Sequence, residues 1–247
     1  MNDNNFFLVS YFKLTSEVNR ERLFQVVQKW FDYFGVPIER RTGAKGNIIQ
    51  YNYDKTFNTF FNKTDSCAFY SGNSTTQTEY QMYEWLIFTN IDFEAGEIIL
   101  SADKTLITKN IIDILLPIIN ELNVYYGYAF FDKKINGLHY AIGVPFYNVD
   151  DDFNEHHEMA EKVSKWRNAL DDKKILSKFR NIYQYNFFSL SSFKFQISGL
   201  SLIEWIKSKS YGEISVINKK VVLWTLVKNE IPTVREEFIL HNRIWES

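Results

Sequence analysis

Seven residues between positions 150 and 158, Asp150, Asp151, Asp152, Glu155, His156, His157 and Glu158, concentrate the side chains that could bind a metal or move a proton. Carboxylates and imidazoles suit Zn, Mn or non-haem Fe, and ligands on one helix must stand three or four residues apart to share a face. Asp152 with His156, and Glu155 with Glu158, meet that spacing. The adjacent His156 and His157 diverge by about 100° around a helix, so one ion does not easily take both rings. The same residues form an acidic helix start, which the helix dipole favours. A solvated acidic helix start is therefore expected, with no metal or cofactor.

The remaining reactive side chains are scattered. His139 and His241 would need an orienting carboxylate to act as bases, and no nucleophile motif accompanies either one. The chain has no Gly-x-Ser-x-Gly elbow, phosphate loop, dinucleotide fingerprint or His-Glu-x-x-His. Cys67 lies between Ser66 and Ala68 in a β-like piece and is expected to be a small buried residue. Arg40, Arg41 and Lys45, with Gly43 and Gly46, form a basic stretch whose functional reading is phosphate or nucleic-acid contact and whose default is a solvated loop.

The elements that must position these residues follow from periodicity. Phe6 to Leu14 reads as a buried strand, and a helix capped by Thr15 or Ser16 runs to Phe34 with Leu23, Phe24, Val27, Trp30 and Phe31 on one face. Ile48 to Tyr53, Thr56 to Phe61 and Cys67 to Phe69 are short β-prone pieces, and Tyr83 to Phe93 turns through Gly96 into Glu97 to Ser101 as a hairpin. A largely apolar helix is expected from Thr108 to Leu122, containing Pro117. Val124 to Asp132 and Leu138 to Val144 read as a hairpin turning at Asn136-Gly137. Beyond Pro145 a helix is expected over 153–170, then a short helix from Leu200 to Lys207, a hairpin of Glu213 to Ile217 with Val221 to Val227, and a terminal helix opened by Pro232.

Composition narrows the function classes. A net charge of −2 gives no general attraction to nucleic acid or anionic lipid, and a single cysteine favours a reducing compartment, here the cytoplasm. Met1 to Asn5 lacks a basic signal region, and Ile111 to Ile119 is too short to span a bilayer, so neither a secretory signal nor a membrane segment is expected. Aromatic residues make up 17% of the chain. Tyr126 and Tyr128, on a strand-like run, are read as anchors for a protein partner, because aromatic side chains dominate binding hot spots.

Leu116 to Phe131, an apolar helix leading into Tyr125-Tyr126-Gly127-Tyr128-Ala129-Phe130, resembles the helix and Tyr-Gly-aromatic strand of type VI immunity proteins, which belong to the bacterial polymorphic-toxin immunity proteins. Arg180-Asn181-Ile182-Tyr183 with Tyr185-Asn186, then Leu202 to Ile206, Leu223-Trp224 and Ile231 to Arg235, are similar to compact bacterial accessory modules. The resemblance implies a catalytically inert α+β protein that occludes one cognate toxin. The expected fold is α+β, with a mixed, mainly antiparallel sheet packed against two long helices over 1–148 and a smaller helix-plus-hairpin unit over 149–247. The expected function is a cytoplasmic immunity protein that grips a basic toxin through Asp150, Asp151, Asp152, Glu155, Glu158, Tyr126 and Tyr128. Two rival readings are a metal-dependent hydrolase or nuclease using the 150–158 cluster and a nucleic-acid-binding accessory subunit using Arg40 and Arg41.

Overall fold

A computed structural model of the chain describes residues 4–12, 19–42, 47–61, 63–72, 85–122, 124–142, 165–166, 177–191, 193–217 and 220–245. The chain divides into two compact units, Met1–Val124 with Phe131–Gly137, and Tyr125–Phe130 with Leu138–Ser247. The expected boundary at 148 lies outside the described residues.

The first unit is built on a six-strand antiparallel array. Its strands are β1 (Asn4–Tyr11), β2 (Arg40–Thr42), β3 (Ile48–Gln50), β4 (Ser66–Ser71), β5 (Ile87–Asp92) and β6 (Glu97–Asp103), in the order β1-β6-β5-β4-β2-β3. β1 is apolar on both faces because both are buried, from Phe6 through Val9. The β5–β6 hairpin forms as expected, with the Asp92 carboxylate accepting from the backbone N–H of Glu94 and Ala95 at 3.1 and 2.9 Å. Helix α1 (Arg20–Tyr33) begins at Asn19, whose side chain accepts from the Arg22 N–H at 2.9 Å. Trp30 on its buried face donates to the Ser101 carbonyl at 3.2 Å and so fixes the helix on β6.

Two local expectations fail here for identifiable reasons. Thr56 to Phe61, expected as β-prone, is a π-helical turn following the single turn α2 (Tyr53–Lys55), which Asn52 caps. Tyr53 and Phe57, four residues apart, both reach Phe24 at 5.6 and 5.5 Å, as helical spacing permits. Helix α3 (Ile111–Leu122) forms as expected except at its start, which shifts two residues from Thr108 to Asn110, whose side chain accepts from the Ile112 N–H at 3.1 Å; Ile111, Ile114, Leu115, Ile118 and Ile119 are buried.

The second unit holds β7 (Tyr126–Lys133) through its first five residues, β8 (Tyr185–Ser189), β11 (Glu213–Ile217) and β12 (Val221–Thr225), in the order β11-β12-β8-β7 and again antiparallel. A two-residue ribbon, β9 (Gln196–Ile197) with β10 (Leu200–Ser201), precedes helix α5 (Leu202–Lys209). Ser201 and Glu204 close a capping box on α5, and Pro232 lies in the first turn of α6 (Ile231–Leu240). Phe179 forms the centre of the core, its ring 5.1 to 5.9 Å from those of Phe193, Phe238, Phe188 and Tyr126.

The hairpin expected over 124–144 is overturned. After β7 the chain enters helix α4 (Lys134–Ile142), which contains Asn136-Gly137 in place of a turn. Gly137 is required by proximity, since a Cβ there would come within 2.2 Å of the Phe7 ring. The expected fold class is corrected as well. The described strand pairs in these arrays are antiparallel throughout, ten strands outweigh the helices, and α1 and α3 span only 14 and 12 residues. A sheet packed against two long helices does not describe the molecule; apolar strand residues buried on both faces let sheet dominate.

Candidate functional site

Of the sequence-derived partner-binding residues, Tyr126 and Tyr128 are among the described residues. Asp150, Asp151, Asp152, Glu155 and Glu158, with His156 and His157, lie outside the described residues, as does the side chain of His139. Tyr126 and Tyr128 are fully buried in the second unit, so neither ring reaches the surface of the chain as an anchor. Alternation along β7 is masked because both tyrosines face a second aromatic layer: Tyr126 stacks near Phe193 at 5.5 Å, and Tyr128 lies on Tyr183 at 4.2 Å and 12°.

Both phenols serve Arg180, which is also fully buried. The Arg180 backbone N–H donates to the Tyr126 hydroxyl at 3.0 Å, its Nη1 donates to the Tyr128 hydroxyl, and its Nη2 donates to the Tyr140 carbonyl at 2.9 Å. The guanidinium lies 4.1 Å from the Tyr140 ring centroid, and the Tyr140 and Tyr183 hydroxyls bond each other. A guanidinium buried among ring faces and oxygen acceptors keeps its charge satisfied. Burial, reinforced by neighbouring Tyr128, drives the Tyr126 phenol well above its ordinary pKa, so it stays protonated as an acceptor and donor of hydrogen bonds. Arg180 opens the Arg180-Asn181-Ile182-Tyr183 pattern, but nothing in the sequence around it signals its inward placement.

Cys67 and Arg41 are also turned inward, whereas His241 is exposed and Arg40 half-buried. Cys67 is buried, and burial pushes its thiol up to about 12 despite the opposing field of Arg41. A thiol so poised is protonated at neutral pH and is a poor nucleophile. Arg41, 8% exposed, donates to the Thr42 carbonyl at 3.0 Å, and the rest of the basic stretch at 43–46 lies outside the described residues. Among the described residues no group of three or more His, Cys, Asp or Glu side chains converges to hold a metal, and no helix is long and apolar enough to cross a membrane.

The concavity of the second unit has a different character. A pocket of about 350 Å³ opens where β8 ends and α5 begins, with buried Phe188, Phe193, Phe195 and Leu202 as its floor and exposed Lys194 and Gln196 at its rim. Strict alternation of Phe193, Lys194, Phe195, Gln196 and Ile197 places the rings inward and the polar groups outward. Arg243 holds this segment, donating to the Gln196 carbonyl at 3.1 Å with its guanidinium 4.6 Å from the Phe195 ring. The alternation was visible in the sequence and is the signal that could have located this face. An apolar floor with a polar rim suits an inserted apolar side chain of a protein partner.

No family model matches the chain, and no curated protein matches it in sequence. In fold it is similar to the solved structure of the Pseudomonas aeruginosa T6SS protein PA0821, with a TM-score of 0.59 at 10% identity, over 99% of this chain and 74% of that one.

Proposed function

We propose that this chain is a protein-binding module of type VI secretion biology, acting in the cytoplasm as an immunity protein that binds and neutralises a cognate toxin. The observation that carries the reading is a fold likeness to a T6SS protein extending over 99% of the chain. Three features support it. The buried Cys67 thiol and Tyr126 phenol are held protonated, aromatic side chains are committed to packing, and the second unit offers a pocket suited to a protein side chain. Asp150, Asp151, Asp152, Glu155 and Glu158 supply the charge that meets a basic toxin, since complementary charge speeds association.

The test is genetic. Products of the reading frames beside this one are expressed in a heterologous bacterium with and without it. One of them is expected to halt growth alone, to be tolerated in its presence and to co-purify with it as a stoichiometric complex. Growth arrest that this protein leaves unchanged for every neighbour, with no complex, would sink the reading.

A further inference from the structure

β11 ends the strand order of the second unit, and among the described residues no strand pairs with its outer side. Such an edge presents a row of backbone N–H and C=O groups to any other strand, and proteins usually blunt it with lysine, proline, a bulge or extreme shortness. β11 has none of these. It runs five residues in unbroken register with β12, from Glu213 opposite Thr225 to Ile217 opposite Val221, and its sequence is Glu-Ile-Ser-Val-Ile. Both of its faces are open: Ser215 is exposed on one and Val216, 59% exposed, on the other, whereas Val221 to Trp224 of the neighbouring β12 are all buried.

The strand is also complementary to itself. With a two-fold axis through Ser215 and an antiparallel mate, Ile214 of each copy faces Val216 of the other, which gives a continuous row of four β-branched side chains. On the opposite face Ser215 meets its own equivalent and Glu213 faces Ile217. Charge selects the antiparallel sense. Glu213 begins the strand and Lys220 closes the turn that follows it, so each acidic end lies alongside the other copy's basic end. A parallel mate would set Glu213 against Glu213, and like charges directly opposite are unfavourable.

We infer that a second copy of this chain pairs with β11 in antiparallel register, forming a two-fold dimer centred on Ser215. Self-association goes beyond toxin neutralisation and does not depend on it. Five residue pairs make a small isologous interface, so the dimer is weak and concentration-dependent.

Sedimentation of the purified full chain from low micromolar to several hundred micromolar tests this, with Val216→Lys and Ser215→Cys as variants. The wild type is expected to shift from monomer to dimer, and Val216→Lys to raise the dissociation constant at least about tenfold, as an edge lysine blocks strand addition, with its circular dichroism unchanged. Under mild oxidation Ser215→Cys is expected to form a disulfide-linked dimer and Glu213→Cys is not, because only position 215 faces itself; the native Cys67 is buried and silent. A chain monomeric at every concentration overturns the proposal. A dimer indifferent to Val216→Lys, with no Ser215→Cys cross-link, also overturns it, because the copies would then meet elsewhere.

Discussion

Arg180 shows how little of this interior could be anticipated from residue types alone. An arginine is ordinarily a surface residue, yet here its guanidinium bonds the Tyr128 hydroxyl and the Tyr140 carbonyl beneath the surface. Arg180→Met keeps the bulk and removes both of these bonds, each at a cost of about 1–3 kcal/mol. The denaturant midpoint should fall accordingly, while Tyr128→Phe, which removes one charge-assisted bond, should cost about 1.5–3 kcal/mol. Cys67 gives a pH signature. Folding raises its pKa from 9.0 to about 12, so the fold favours the protonated thiol. Its contribution is intact below pH 9 and is lost as pH rises through 12. Tyr51, raised by burial from 10.0 to about 12, adds to the same decline from pH 10 upward. Denaturant midpoints measured from pH 7 to 11 should be steady at first and then drop, and Cys67→Ala should flatten the portion between 9 and 10. An unchanged slope in that variant would contradict the assignment.

At the scale of elements, what was legible depended on whether a pattern was local. The β5–β6 and β11–β12 hairpins could be read from β-prone apolar runs around turn residues, and α6 from Pro232 at its start, because each is decided within about a dozen residues. Asn136-Gly137 misled because it carries the composition of a hairpin turn while the glycine answers to a distant ring. Gly137→Ala distinguishes the two roles. In an unconstrained helix the change stabilises by about 0.5–1 kcal/mol, but a Cβ 2.2 Å from Phe7 forces the core apart, so a loss of about 1–3 kcal/mol is expected in thermal or chemical unfolding. Gly212, which delivers the chain into β11, is a backbone requirement. Its φ is +64° and a Cβ would lie 2.1 Å from the Thr225 carbonyl, so Gly212→Ala should cost at least about 2 kcal/mol. The site was less legible than the fold, since Tyr126 and Tyr128 alternate like surface anchors and their burial is decided by distant rings, Trp166, Phe179 and Phe193 around Tyr126 and Tyr183 on Tyr128.

For the whole molecule, a net charge of −2 conceals uneven local charge. Between residues 191 and 228 the chain carries Lys194, Lys207, Lys209, Lys219, Lys220 and Lys228 against Glu204 and Glu213, while 150–158 is acidic. A toxin drawn to the acidic stretch should associate faster at low ionic strength, and the rate should fall steeply as salt rises. Dialysis against a chelator is expected to leave both the melting temperature and toxin binding unchanged; loss of either would favour the metal-dependent reading of Asp152 and His156. The central claim is neutralisation by occlusion, and titrating the purified toxin's activity with this protein tests it most directly. Activity should fall in proportion to added protein and vanish near one equivalent, whereas full toxin activity in the presence of excess protein would contradict the account.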